Sequence, residues 1–331
     1  MSQALTVAPA QPAEWEEAFR LFFAQVPSEH QEERVQNALH LVEQGELNPA
    51  GILIATEAGE LRGVLVCLPL PGSSALLWPP QVQDGPAREA TEDVLIRRAV
   101  SWLRRSGSRL GHALLLPQET AVAASLERNG FARITSLWYM QHYLASLPTA
   151  SKPCVSLSYS SYQDLPDPAL FHQTLLRTYE ETLDCPEING VRTIAEIMEG
   201  HRAQGKHDPS RWWLAHSGRD AVGVLLLTDL PECASWELAY VGVVPEARRR
   251  GFGRQLVARA LSEAGTAGAA RMTLSVDVRN QQAWNLYIDM GFEAFERREA
   301  YLAIWSPSHA SKPVDLSRRD KLGCSPNLGD C

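Results

Sequence analysis

Residues 243–253 (Val-Val-Pro-Glu-Ala-Arg-Arg-Arg-Gly-Phe-Gly) limit the folds open to this 331-residue chain more than any other stretch. Upstream, residues 235–244 (SWELAYVGVV) are apolar and rich in β-favouring side chains, as in a buried strand. Downstream, residues 254–264 carry Leu256, Val257, Ala260 and Leu261 at helical spacing, one apolar face of an amphipathic helix. A strand that feeds a short glycine-bearing turn and then a helix start aims unbonded N–H groups and the positive helix end at one spot. Such a spot suits a phosphate. Gly251 and Gly253 lack a Cβ, so the backbone can approach an anion closely and take φ > 0.

The spacing is Arg248-x-x-Gly251-x-Gly253, neither a P-loop nor the dinucleotide GxGxxG. It resembles the pyrophosphate-binding motif (Arg/Gln-x-x-Gly-x-Gly/Ala) of the GNAT superfamily, the acyl-CoA-dependent N-acyltransferases. A second stretch, Asn280-Gln-Gln-Ala283-Trp-Asn-Leu286-Tyr287-Ile-Asp-Met-Gly291-Phe292, is similar to the family pattern Asn-x-x-Ala-x-x-Leu-Tyr-x-x-x-Gly-Phe at every fixed position. The resemblance spans residues 156–305. It implies that acetyl-CoA lies in a splay between the strand ending at Val244 and the strand 271–278. Main-chain groups of Val243 and Val244 would then pair with the pantetheine arm. The Val243 N–H would also meet the thioester oxygen as that atom gains negative charge. Arg248 and the backbone of Arg249, Arg250, Gly251, Phe252, Gly253 and Arg254 would hold the pyrophosphate, and Asn280 would hold the cofactor near the start of the last helix.

Acyl transfer to an amine makes two chemical demands. The amine attacks only when neutral, so a proton must leave it, and the departing thiolate benefits from a proton donor. Tyr287, a phenol beside the cofactor by resemblance, suits the acid. Glu237 suits the base; it lies 251 − 237 = 14 residues before Gly251, where many enzymes of the family carry a strand carboxylate. Strand alternation puts Glu237 on the face of Ala239, Val241 and Val243, where desolvation would raise its pKa. The alternatives are a water-facing glutamate and a relay of waters with no dedicated base. His201, His207 and His216 have no partner at a telling spacing. Asp277 either points to the cleft or caps the turn before Asn280.

The remaining chain repeats one order of elements. The second half reads as helices over 168–181 and 194–204, a hairpin over 211–216 and 221–229, then the strand, turn and helix above. A strand at 271–278, a helix at 281–290 and a strand at 292–304 follow. Between its first two helices, residues 182–193 crowd Asp184, Cys185, Glu187, Asn189 and Arg192 into a Pro/Gly-punctuated loop. That loop overhangs the acceptor site in the family, so these five are substrate-contact candidates; a capped helix–helix turn is the plainer reading. The first half reads as helices at 14–25 and 32–46, a hairpin at 51–56 and 61–68, and a strand at 74–78. A helix at 87–105, a strand at 112–116, a helix at 120–129 and a strand at 134–144 complete it.

Residues 124–131 echo 284–292, each a helix closed by glycine and then phenylalanine, with Glu127 at the tyrosine's place. No Arg-x-x-Gly-x-Gly precedes the helix at 87–105. The expected architecture is α/β (α+β): two GNAT-like domains, each a mixed, mostly antiparallel sheet flanked by helices. The expected bounds are a degenerate copy at 1–145, a Pro/Ser-rich linker at 146–158, a catalytic copy at 159–305 and a disordered tail at 306–331. The tandem layout resembles the mycothiol synthases, which acetylate a small amino-sugar conjugate, in architecture alone.

A net charge of −8 argues against nucleic acid as a partner, since such binders are basic. No stretch of about 18 apolar residues suggests a membrane span, and the first residues lack a signal peptide's pattern. The six scattered cysteines, with no metal spacing among them, suggest reduced thiols and a cytoplasmic setting. The expected activity is acetyl transfer from acetyl-CoA to the primary amine of a small molecule, by direct attack in a ternary complex, in a monomer or homodimer without a metal. The alternatives are a peptide or protein N-acetyltransferase and a non-catalytic acyl-CoA sensor or scaffold.

Overall fold

The computed structural model describes residues 4–144 and 156–305. In chain order its elements are β1 (Thr6–Pro9), α1 (Trp15–Phe22), α2 (Ser28–Glu43), β2 (Ile52–Glu57), β3 (Glu60–Leu70), β4 (Ser74–Leu77), β5 (Gln81–Val82), α3 (Arg88–Arg105), β6 (Leu110–Leu115), α4 (Thr120–Arg128) and β7 (Ala132–Tyr143). There follow β8 (Ser158–Ser161), α5 (Ala169–Thr178), α6 (Ile194–Arg202), β9 (Trp212–Ser217), β10 (Asp220–Leu230), β11 (Ser235–Val243), α7 (Phe252–Thr266), β12 (Arg271–Asp277), α8 (Gln281–Asp289) and β13 (Glu293–Ile304). The mixed, mostly antiparallel sheets flanked by helices are those expected. The short strands β1, β5 and β8 are additions, too brief for a periodicity to mark them.

The chain divides into two compact units whose bounds differ from a cut at the linker. One takes the chain up to Ile134 and again from Glu299; the other takes Thr135–Arg298. The last strand of each half is thus exchanged: residues 137–143 of β7 pair antiparallel with β12, and residues 299–304 of β13 pair antiparallel with β6. The expected tail, and all of the expected linker except its last residues, lie outside the described residues. Cys67 and Cys185 are free thiols, whereas Cys233 is disulfide-bonded, a departure from the expected reduced state.

Each unit sandwiches its sheet between two helix pairs because alternate strand residues face opposite ways. In the first unit Leu53, Leu65 and Leu77 meet Leu95 and Leu103 of α3 and Leu126 of α4, while Ile52, Val64 and Val66 meet Phe19 of α1 and Val35 of α2. In the second, Leu225, Leu238 and Leu274 meet Leu256 and Val257 of α7 and Tyr287 of α8. Leu214, Val224 and Leu226 meet Phe171 of α5 and Met198 of α6.

Local chemistry sets the ends. Thr193 and Glu196 form a reciprocal capping box at α6. Helices α4 and α8 close alike: Gly130 and Gly291 both have φ +88°, and the N–H groups of Phe131 and Phe292 bond the carbonyls of Leu126 and Tyr287 at 3.0 Å. This pairing corrects the sequence register by one residue. Buried Leu126, not exposed Glu127, stands where the second unit has Tyr287. Among the described residues no helix is long and apolar enough to cross a membrane.

Candidate active site

The second unit opens a slot at its centre. Strands β11 and β12 run parallel and pair over three positions only, ending at Glu237 opposite Thr273. Beyond that pair they part. On the other edge of β11, Val244 donates its N–H to the Val222 carbonyl at 3.0 Å. Val222–Val244 is therefore a hydrogen-bonded pair, and Gly223–Val243 and Leu225–Val241 are non-bonded ones. The main-chain groups of Val241 and Val243 consequently turn away from β10, toward the slot. Of the two valines expected to meet a pantetheine arm, Val243 has its N–H so turned and Val244 does not.

Glu237 sits at the apex, where the strands separate. A β-bulge leaves Ala239 unmatched, Leu238 pairing with Leu227 and Tyr240 with Leu226. This shifts the alternation, so the expected face is corrected: Glu237 shares a face with Tyr240, opposite Val241 and Val243. Burial pushes its carboxyl up to about 7.

The glycine turn lies at the open end of the slot. Arg249 (φ +58°) and Gly251 (φ +79°) are both left-handed, and Gly251 is the N-cap of α7 with no side chain to satisfy the first N–H groups. A Cβ on Gly251 would point into open space, with no atom within 4 Å. Phe252 is buried and anchors the helix start, with the Arg250 guanidinium 4.8 Å from its ring centre. The second motif packs on this turn: Leu286 comes within 3.4 Å of a Cβ built on Gly253, and Arg254 forms a 3.0 Å ion pair with Asp289.

Arg248 is turned elsewhere. Its Nε donates to the Val243 carbonyl at 3.1 Å, its Nη1 to Glu181 at 3.2 Å, and its Nη2 to Thr178 at 3.2 Å and Glu180 at 2.5 Å. A guanidinium spent on four carbonyls fastens the turn to the end of α5 and is not aimed at a phosphate. Asn280 is likewise engaged, accepting from the Ala283 N–H at 3.1 Å as the cap of α8 and donating to Asp184 at 3.3 Å.

Tyr287 is buried against Phe292, with ring centres 5.6 Å apart. Burial, then the charge of Asp184, pushes its phenol well above the ordinary value, so it remains protonated.

The loop between α5 and α6 is knitted to the β12–α8 turn through Asp277, a fully buried residue. Asp277 accepts from Thr135 Oγ1 at 2.6 Å, the Cys185 N–H at 3.1 Å and Arg279 Nη2 at 2.6 Å. Burial works to raise this carboxyl, but the bonds from Arg279, Thr135 and the Cys185 N–H outweigh it and hold it below the usual range. Asp184 accepts the Asp277 N–H at 2.9 Å, and Glu187 takes Arg279 in a bidentate pair at 2.6 and 3.0 Å. Cys185 has left-handed backbone (φ +41°) and a thiol that burial, helped by Asp277 and Asp184, pushes up to about 12. Asn189 instead donates to the Tyr179 carbonyl at 3.2 Å, and the charge of Arg192 bears on Tyr179 and His201. Three of the five loop candidates thus gather at the slot's β12 side and two do not. Sequence reasoning left Asp277 undecided and missed Arg279, whose signal is an arginine two residues after a strand-end aspartate.

The profile of the Acetyltransferase (GNAT) family matches residues 175–292. Mycothiol acetyltransferase of Beutenbergia cavernae is 40% identical over 213 residues, which are 56% of this chain and 68% of that protein. Mycothiol acetyltransferase of Thermobifida fusca is 30% identical over 222 residues, 57% of this chain and 62% of that protein, just under two-thirds of its length. The crystal structure of a GCN5-related N-acetyltransferase from Sphaerobacter thermophilus superposes with a TM-score of 0.61 over 91% of this chain and 95% of that one. At 17% identity, this is a likeness of fold. The splayed strands, the glycine turn and these relationships together make the chain a member of the GNAT acetyltransferase family and an N-acetyltransferase.

Proposed function

We propose that the second unit moves acetyl from acetyl-CoA to the primary amine of a small molecule, by direct attack in a ternary complex. One observation carries the reading. A carboxyl with a pKa of about 7 stands at the apex of a slot that the Val243 N–H faces and the bare N-terminus of α7 adjoins. These residues fit acetyl-CoA: the first N–H groups of α7 and the left-handed turn at Arg249 and Gly251 would take its diphosphate, and Val241 and Val243 its pantetheine arm. When bound, it supplies an acyl group activated as a thioester. Glu237 accepts the proton that leaves the attacking amine, and the Val243 N–H donates to the acyl oxygen as charge develops there. Tyr287, protonated throughout the working range, donates to the departing sulfur. Arg248 positions the turn against the end of α5.

The first unit is read as a degenerate copy of the second. Its counterpart of α7 is α3, whose first turn carries Arg88 bound to Asp84 at 2.6 Å and to buried Glu92 at 3.0 Å. That helix start has neither the glycine N-cap nor the Arg-x-x-Gly-x-Gly turn that leaves the first N–H groups of α7 bare. The relatives named mycothiol acetyltransferase support an acceptor that is the desacetyl form of mycothiol. Thiol release from acetyl-CoA tests this directly: desacetyl-mycothiol should accelerate it by on the order of a thousandfold or more over the amine-free rate. A rate that no amine alters would leave a binding protein in place of this enzyme.

A further inference from the structure

We propose that Tyr139 and Gln141 of β7, with Thr273 and Ser275 of β12, form the wall on which the non-reacting part of the acceptor lies, and that this wall selects a hydroxyl-rich amine. The inference rests on Glu237 being the base. The sheet register carries it. Glu237 stands opposite Thr273, and Thr273 opposite Gln141, in one row across three strands; Ser275 and Tyr139 form the next row along. All five share a face, because the residues between them (Leu274, Val276 and Met140) lie in the α7–α8 core on the other side. Ser275 is exposed and the other four are half-buried, so the stripe meets solvent at the centre of the sheet.

The surroundings of Tyr139 are polar and convergent. The charges of Arg298, Glu237 and Glu296 and the Cys185 thiol all bear on its phenol, which burial keeps protonated. Phe295, 47% exposed, lies with its ring centre 6.4 Å from that of Tyr139. Glu296 binds Arg298 through Oε1 at 2.5 Å, while its Oε2 is buried with no hydrogen-bond partner. Gln141 Oε1 accepts from Arg271 at 3.5 Å. Hydroxyls, an amide, a carboxylate oxygen wanting a donor and an exposed aromatic ring match a ligand whose groups both donate and accept. A polyamine would need a second carboxylate unopposed, and here Arg298 pairs with Glu296. The strand that supplies Tyr139 and Gln141 comes from the front half of the chain, which thereby shares in choosing the acceptor.

Steady-state kinetics of the full chain with acetyl-CoA and desacetyl-mycothiol, on Tyr139→Phe and Gln141→Ala, test the wall. Each variant should raise KM for desacetyl-mycothiol about tenfold, the loss of a hydrogen bond. The acetyl-CoA Kd by calorimetry and the pH midpoint near 7 should not move. An unchanged acceptor KM in both variants overturns the inference. An acetyl-CoA Kd weakened as much as the acceptor KM also overturns it, since that marks a merely structural strand. Wild-type protein that binds acetyl-CoA yet acetylates neither desacetyl-mycothiol nor glucosamine refutes the function itself, and this inference with it.

Discussion

Glu237 shows how a single residue joins mechanism to stability. Its carboxyl titrates near 7, so catalysis should rise through an acidic limb with a midpoint there, and Glu237→Gln should remove both the limb and most of the rate. The sign for stability is opposite. A carboxyl raised by burial stabilises the fold while protonated, and that contribution is lost as pH rises through 7. A neutral amide at this position is spared the loss, so melting experiments should find Glu237→Gln more stable by about 1–3 kcal/mol at pH 8 and no more stable at pH 4. A variant that is less stable at pH 8 would mean that the carboxylate is well solvated. The position of this residue was legible from its distance to Gly251, but its face was not. The bulge at Ala239 is a backbone event that alternation of side chains does not reveal.

At the scale of elements, the loop between α5 and α6 is held from two sides. Arg248 ties its start to the glycine turn, and Asp277 with Arg279 ties its middle to the β12–α8 turn. Replacing Asp277 by Ala leaves Thr135 and the Cys185 N–H without their buried acceptor, while Arg279 keeps its pair with Glu187, at a cost of about 1–3 kcal/mol in a denaturant titration. Because bonding holds this carboxyl low, the wild type should lose part of that stabilisation as pH falls below about 4. A loss under 1 kcal/mol would mean that the contacts are interchangeable with water. The two motifs and nearly every helix and strand could be read from spacing. The pairings of Asp184 and Glu187 with residues some 90 positions later could not, since a single chain carries no signal for them. For the same reason the motif marks Arg248 and Asn280 as ligand contacts but does not reveal their hydrogen bonds within the fold.

For the whole molecule, the exchange of final strands matters most. A fragment of residues 156–305, the domain as cut at the linker, lacks β7 and so leaves β12 with an open edge. It should be insoluble or aggregate on expression, while the full chain is soluble; a monomeric, folded fragment by size-exclusion chromatography and circular dichroism would contradict the exchange. The paired glycine–phenylalanine helix ends were visible in the sequence, but the crossing of strands between the halves was not, because both halves read in the same order of elements. The central claim is that one turn, and only that in the second unit, grips the cofactor. Calorimetric titration of the full chain with acetyl-CoA tests it most directly. The wild type should bind one equivalent and Gly251→Glu none, with about 1–2 kcal/mol of fold stability lost to the left-handed strain. Undiminished affinity in Gly251→Glu, or two equivalents in the wild type, would contradict it.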